Sequence, residues 1–408
     1  MAKLKFGLLG EKLGHSFSPA IHKQLADYDY GLYEVPRPSL KSFLESTELD
    51  GMNVTMPYKR DVLALCASLS PRAEAIGSVN TLVRMPYGWH GDNTDYAGFE
   101  YMCRSINLDA KDKKVLVFGS GGASKTVIKV MEDLHAREIV VVSRKGENNY
   151  DNLHLHADAQ LIVNATPVGM YPNNGCAPAS LEAFPCCEAV LDLVYNPART
   201  ALLMDAEARG IKCSNGLGML VAQAHAAAEL FLNKRIDEDI IGSIRNKLEK
   251  DTRNIVLIGM PGSGKSKKGA LLAKRLGREF VDADEYFTAE NGMSPAEAIK
   301  KLGEDAMRAM ETEVLAQLCK KSGAVFATGG GCVTREENYP LLRQNSVIVW
   351  VKRPLNELSR KGRPLSQRCG VYELYERRKE SYERFADVSA DSCEKIEDAV
   401  DAIMEAIG

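Results

Sequence analysis

The sequence predicts an α/β protein built on parallel sheets and divided into more than one unit. Three observations carry this. Short β-branched apolar runs alternate with helical stretches along the chain. Two glycine-rich turns, "FGSGGAS" at 118–124 and "GMPGSGKSKKG" at 259–269, each follow such a run and open a helix. A charged segment, "RNKLEKDTRN" at 245–254, precedes a fresh apolar strand, "NIVLIGM", so a second core restarts there.

Taken in order, residues 1–100 place strands at "LKFGLLG", "GLYEVP", "DGMNVTM" and "NTLVRM", with a helix at "PAIHKQLADY". The stretch 111–145 then reads strand, glycine turn, helix, strand within 35 residues, the length of one βαβ unit. It continues through "AQLIVNAT" and "AVLDLVY", so 101–216 forms a parallel-sheet domain. Helices over 217–249 are expected to return to the first block. A linker is expected near 249–253, followed by a domain over 254–408.

Composition narrows the function. The 408 residues are 45% hydrophobic and 26% charged, with a net charge of −3, so no global basic field draws nucleic acid or anionic membrane. Ten cysteines lack any CxxC pair and read as reduced thiols. The N-terminus has no apolar signal core, and "CSNGLGMLVAQAHAAA" (213–228) is too short and polar to span a bilayer. A cytoplasmic protein is expected; the pattern does not set an oligomeric state.

In the first turn, Gly119, Gly121 and Gly122, with Ser120 and Ala123, would let backbone N–H groups and a helix N-terminus approach a pyrophosphate. A plain strand–helix turn is the alternative. The next strand ends in Ser143, Arg144 and Lys145, where an NAD site would place a carboxylate. Basic groups there suit a ribose 2′-phosphate, so NADP is expected.

The first block also carries polar motifs unusual for a core: "GHSFSP", "NVTMPYK", "GSVNT" and "GDNTD". Singly they read as helix caps or turns. Together with "GSGGAS", "NATPVGM", "DLVYNP" and "NGLGMLVAQA", in this order over residues 4–245, they resemble the shikimate dehydrogenase family. The resemblance implies a dinucleotide-binding Rossmann domain behind a substrate domain. It implies that Ser16 and Ser18 bind the substrate carboxylate, and that Lys59 and Asp95 are the catalytic pair. Thr55, Asn80 and Gln223 would hold ring hydroxyls, Tyr195 would face the substrate and Gly218 the cofactor. Tyr96 departs from the family's usual glycine, which puts the local backbone and pocket volume in question. Ser143 departs from its asparagine. His15 and His22 read as packing or capping residues.

The second turn fits G-x-x-x-x-G-K-[ST] between a strand and a helix, the context a P-loop needs. Gly262, Ser263 and Gly264 would surround phosphates, Lys265 would reach the transferred phosphoryl group and Ser266 would ligate Mg²⁺. An ATP site follows. Downstream, "FVDADEYF", "GEDAMRAME", "ATGGG", "RKGRPL" and "YERRKESYERFAD" resemble shikimate kinase over 254–405. That resemblance implies Asp284 on the acceptor hydroxyl, Asp282 on the Mg²⁺ side, and Arg308 and Arg378 on the substrate carboxylate. Glu311 would hold Arg308; Gly329, Gly330 and Gly331 would lie beside the ring. Arg363 would neutralise the phosphoryl group in transfer, and Arg360 would stack near adenine. Met307, "RPLS" and an abbreviated lid depart from the family pattern. Alone, the arginine-rich helix reads as a solvated face and the glycine triplet as a turn.

The two resemblances imply NADPH-dependent reduction of 3-dehydroshikimate to shikimate, then phosphorylation of shikimate by ATP. The alternatives are a quinate-directed or NAD-using dehydrogenase beside the kinase, or a half that binds ligand without turnover.

Overall fold

The computed structural model describes residues 3–14, 16–358, 370–391 and 395–408. The chain forms two compact units. The first comprises Met1–Met170, Cys176–Tyr195 and Leu202–Lys247; the second comprises Tyr171–Gly175, Asn196–Ala201 and Leu248–Gly408.

The first unit begins with β1 (Lys5–Gly10), α1 (Ser18–Leu25), β2 (Asp29–Glu34), α2 (Leu40–Ser46) and β3 (Gly51–Val54). There follow β4 (Ser68–Leu69), α3 (Pro71–Ile76), β5 (Thr81–Met85), β6 (Gly88–Asp92) and α4 (Asp95–Ser105). The strands make a mixed six-stranded sheet in the order β2-β1-β3-β5-β6-β4. All four β3 residues are buried, as its central position requires. The β5–β6 pair is antiparallel, and β6 was not expected. Its sequence, "GWHGD", has two glycines and two polar residues in five, and so resembles a turn.

A second sheet, ordered β11-β10-β9-β7-β8, is parallel throughout. Its elements are β7 (Lys114–Phe118), α5 (Gly122–Asp133), β8 (Glu138–Val142), β9 (Leu161–Asn164), β10 (Ala189–Asp192), α6 (Ala201–Ala208) and β11 (Lys212–Asn215). Helices cover both faces of such a sheet, so β7 reads as an unbroken apolar run. Val115 and Val117 enter one core, and Leu116 and Phe118 the other.

α7 (Leu217–Leu232) packs on the first sheet, stacking Phe231 on Phe6 with ring centroids 4.4 Å apart. It also presses on α4 at Gly98, where a Cβ would stand 2.6 Å from the Met219 carbonyl oxygen. Two details differ from expectation. The helical stretch over 217–249 is interrupted at Asn233, whose φ of +46° ends α7. The expected linker 249–253 is the last turn of α8 (Asp239–Thr252) plus one residue. Its charges conceal a helical stripe, since Ile241, Ile244 and Leu248 are buried.

The second unit holds β12 (Asn254–Ile258), α9 (Lys265–Leu276), β13 (Phe280–Asp282), α10 (Ala283–Asn291), α11 (Pro295–Leu302), α12 (Glu304–Leu318) and β14 (Val325–Ala327). After them come α13 (Asn338–Arg343), β15 (Ser346–Lys352), α14 (Val371–Glu376), α15 (Lys379–Phe385), β16 (Val388–Asp391) and α16 (Ile396–Ile407). Its five-stranded sheet is parallel, in the order β13-β14-β12-β15-β16. β12 alternates as β7 does, with Ile255 and Leu257 in one core and Val256 and Ile258 in the other. Within this unit Tyr171 donates its hydroxyl to the Cys319 carbonyl, and Arg199 and Asn174 bond to Gln344. Among the described residues no helix is long and apolar enough to cross a membrane.

Two candidate active sites

In the first unit the sheet topology brings the ends of β3, β5 and α4 together. Lys59 follows β3 and donates to Asp95 Oδ2 at 2.5 Å. Asn80, just before β5, donates to the other Asp95 oxygen at 2.9 Å. The Asn80 side-chain carbonyl oxygen accepts from the Thr94 N–H at 2.6 Å and from the Thr81 hydroxyl at 3.1 Å. Asn80 is thereby locked, and it locks Asp95. The Lys59 and Asp95 side chains are 22% and 12% exposed, so the pair is partly shielded from water. Gln223, brought in by α7, accepts weakly from Asn80 at 3.5 Å. Thr55 stands in the turn between β3 and Lys59, its N–H on the Leu9 carbonyl.

Ser16 and Ser18 precede and open α1, and the Ser16 hydroxyl accepts from the Ser18 N–H at 3.2 Å. They therefore also serve the helix start, as their simpler reading allowed. Tyr195 lies 5.9 Å from Phe17, ring to ring, and burial raises its phenol pKa. Tyr96 does not crowd the pair. Its hydroxyl donates to Asp133 on α5 at 2.9 Å, and the Arg72 guanidinium covers its ring. His22 is a packing residue: Nδ1 pairs with the Tyr28 hydroxyl, the ring stacks on Tyr30, and burial pushes its pKa down to about 3.

The dinucleotide turn follows β7. Gly119 adopts φ +107°, and a Cβ there would stand 3.0 Å from the Ala165 carbonyl oxygen, so only glycine fits. A Cβ on Gly121 or Gly122 would meet nothing, so this surface is open at the start of α5. No side chain caps that helix at Gly121, which leaves first-turn N–H groups available to an anion. Ser120 and Ala123 belong to the same turn. Ser143 is half-buried, and Arg144 and Lys145 are exposed at the end of β8. This donor set fits a dinucleotide carrying an extra phosphate. Gly218 is buried in the first turn of α7, where a Cβ would make ordinary contact with Tyr101 and Arg245.

In the second unit one cavity of about 620 Å³ collects the expected kinase residues. Gly262, Gly264, Lys265, Ser266, Asp282, Asp284, Arg308, Gly330 and Arg378 all line it. Gly262 and Gly264 have φ of +91° and +86°, which the tight loop needs. The Ser263 side chain is buried behind the loop. Lys265 donates to the Gly259 and Met260 carbonyls at 2.8 and 3.1 Å. Ser266 and Asp282, both lining the cavity, offer oxygen donors of the kind Mg²⁺ takes, which uses few protein ligands and completes its shell with phosphates and water. Asp282 also caps α10 by accepting from the Asp284 N–H at 2.9 Å.

Arg308 is buried and donates to Glu311 at 2.7 Å, while its Nε is a buried donor without a partner. Arg378 is also buried and donates to the Gly330 carbonyl at 2.9 Å. The glycine triplet is packed rather than a free turn. A Cβ on Gly329 would stand 2.3 Å from Glu311, on Gly330 2.6 Å from Pro261, and on Gly331 2.0 Å from Arg308. Burial, then the charges of Glu311 and Asp282, push the Asp284 pKa up to about 6, against the pull of Lys265 and Arg308. Asp284 is itself exposed on the cavity wall, so solvent screens part of that push. Arg353 and Lys267 line the cavity too and were not expected. The pair Lys267-Lys268 directly after Ser266 was the available signal. Arg360, Arg363 and His15 lie outside the described residues.

The shikimate dehydrogenase of Clostridium perfringens SM101, an NADP(+) enzyme by its name, is 35% identical over 265 residues. The match covers 60% of this chain and 98% of that protein. The chain belongs to the shikimate dehydrogenase family. A family model described as the shikimate dehydrogenase substrate binding domain matches residues 8–82, and one described as shikimate kinase matches 261–408. The two matches, side by side in one chain, support a bifunctional enzyme of the shikimate pathway. Two solved structures resemble its dehydrogenase half. The chorismate mutase/shikimate 5-dehydrogenase fusion of Clostridium acetobutylicum is 38% identical with a TM-score of 0.59, covering 61% of this chain and 98% of that one. The Thermus thermophilus shikimate 5-dehydrogenase, solved with NADP(H) and shikimate, is 30% identical with a TM-score of 0.55, covering 60% and 99%. NADP, and ATP with Mg²⁺, accord with these two families.

Proposed function

We propose that the first unit reduces 3-dehydroshikimate to shikimate with NADPH, and that the second transfers the ATP γ-phosphoryl group to the shikimate 3-hydroxyl. The observation that carries this reading is the presence, in one chain, of two separate polar sets built for different chemistry. One is an ammonium held by a locked carboxylate, Lys59–Asp95–Asn80. The other is a carboxylate, Asp284, in one cavity with Lys265 and two buried arginines.

NADPH, when bound at Gly119–Ala123 and Arg144, supplies the hydride. Carbonyl reduction builds negative charge on the ketone oxygen, and Lys59 donates its proton there. Asp95 orients Lys59 and stabilises its charge. Ser16 and Ser18 take the substrate carboxylate, Thr55, Asn80 and Gln223 the ring hydroxyls, and Tyr195 faces the ring. In the second unit Arg308 and Arg378 fix the carboxylate, Asp284 accepts the proton of the attacking hydroxyl, and Lys265 neutralises phosphate charge. ATP would supply the phosphoryl group, and Ser266 and Asp282 are the residues that would hold Mg²⁺.

A quinate reading has one specific support. The quinate dehydrogenase of Corynebacterium glutamicum, solved with NAD, is 27% identical with a TM-score of 0.55, covering 60% of this chain and 98% of that one. Arg144 favours the phosphorylated cofactor over that reading. The eight described cysteines are free thiols, which suits a cytoplasmic enzyme. The test uses the purified chain with shikimate. Shikimate-dependent NADPH formation and shikimate-dependent ADP formation are both expected, and the lack of either overturns that half.

A further inference from the structure

The reaction scheme leaves one buried cation next to the P-loop without a task. Lys268 lies in the first turn of α9, yet it is only 5% exposed, a rare burial for lysine. Its ammonium donates to the Ser263 carbonyl oxygen. A Cβ on Gly264 would stand 2.9 Å from the same Nζ. The ammonium therefore sits directly behind the Ser263–Gly264 peptide.

That peptide matters because Gly264 lines the cavity and Lys268 does not. In a planar trans peptide the C=O and the following N–H point in opposite directions. Drawing the Ser263 oxygen toward Lys268 turns the Gly264 N–H away from Lys268, toward the cavity side. Gly264 stands at φ +86°, which glycine adopts without strain, so its backbone alone does not fix the orientation of this peptide. The Lys268 backbone N–H bonds the Gly264 carbonyl at 3.0 Å as well, so Lys268 bonds the carbonyl oxygens on both sides of the Gly264 Cα. Lys265 cannot perform this task while it reaches for phosphate, since it holds the other end of the loop, at Gly259 and Met260.

We propose that Lys268 is a positioning residue of the kinase, fixing the Ser263–Gly264 peptide from behind so that the Gly264 N–H faces the nucleotide phosphates. This rests on the ATP-binding reading of the cavity. The experiment compares the full-length parent with Lys268→Met, which keeps the length and apolar stem, and with Lys268→Arg, which keeps the charge and donors. ADP affinity is measured by calorimetry, KM for ATP and for shikimate by kinase kinetics, and folding by dehydrogenase activity and the thermal transition.

Losing a charge-assisted hydrogen bond that orients a phosphate donor should weaken ADP about tenfold or more and raise KM for ATP alike. KM for shikimate should not move, and Lys268→Arg should recover most of the loss. ADP binding by Lys268→Met at the parent's affinity would overturn the proposal. So would a loss of ADP and shikimate binding together in both variants, since that marks a merely structural lysine. If the parent binds ADP but does not phosphorylate shikimate, the functional reading fails instead. The ADP comparison then still decides the role of Lys268.

Discussion

Asn80 and Lys59 grip opposite oxygens of Asp95, at 2.9 and 2.5 Å. The carboxylate is thus fixed from two sides before any ligand arrives, and the ammonium it carries is aimed rather than free to search. Lys59→Ala should lower the kcat of hydride transfer by about 10²–10⁴-fold, the usual contribution of a positioned acid. Phosphorylation by the same protein should be unchanged. Steady-state kinetics of both reactions on one preparation checks this.

Asp284 makes the kinase sensitive to acid. Burial, Glu311 and Asp282 raise its pKa to about 6 because each disfavours the charged form. Only the charged form accepts a proton, so kinase activity is present above about pH 6 and falls as pH drops through that value. The kinase pH–rate profile should show an acid limb near that pH, and Asp284→Asn should remove the activity that the limb reports. A limb at about 4, the ordinary aspartate value, would contradict the assignment.

Gly331 faces the Arg308 guanidinium with no room for a methyl group. Gly331→Ala must displace Arg308 from Glu311, costing about 1–3 kcal/mol of stability in the second unit. KM for shikimate in the kinase reaction should rise while dehydrogenase kinetics stay at parent values. Paired thermal unfolding and kinetics test both expectations.

Arg144 should set the cofactor. Arg144→Ala should weaken NADP and leave NAD nearly as it was, because only NADP loses a phosphate partner. Equal kcat/KM for the two cofactors in the parent enzyme would contradict this.

Much of the fold was legible because parallel strands buried on both faces leave continuous apolar runs, as at β7 and β12, and because glycine turns mark where each run meets a helix. The candidate site residues were legible through motifs that resemble two families in their order and spacing. What stayed hidden depended on packing. β6 is a short strand whose glycines and histidine look like a turn until β5 and β4 are seen on either side of it. The stripe of Ile241, Ile244 and Leu248 is diluted by the charges around it. The glycine triplet reads as a turn until Glu311, Pro261 and Arg308 are seen pressed against it. Lys268 reads as surface charge, and only the loop folded over its ammonium shows otherwise. Tyr96 looked like an intrusion, whereas its hydroxyl reaches Asp133 and leaves the Lys59–Asp95 pair clear.

One chain is expected to perform both reactions in succession. The purified protein is given 3-dehydroshikimate, NADPH and MgATP, with no other enzyme present, and the products are followed by mass spectrometry beside NADPH absorbance. The expected result is shikimate 3-phosphate, with NADPH consumed as shikimate forms and ADP appearing as shikimate is used. NADPH oxidation that stops at shikimate, or no consumption of 3-dehydroshikimate while added shikimate is phosphorylated, would show that one chain does not perform both.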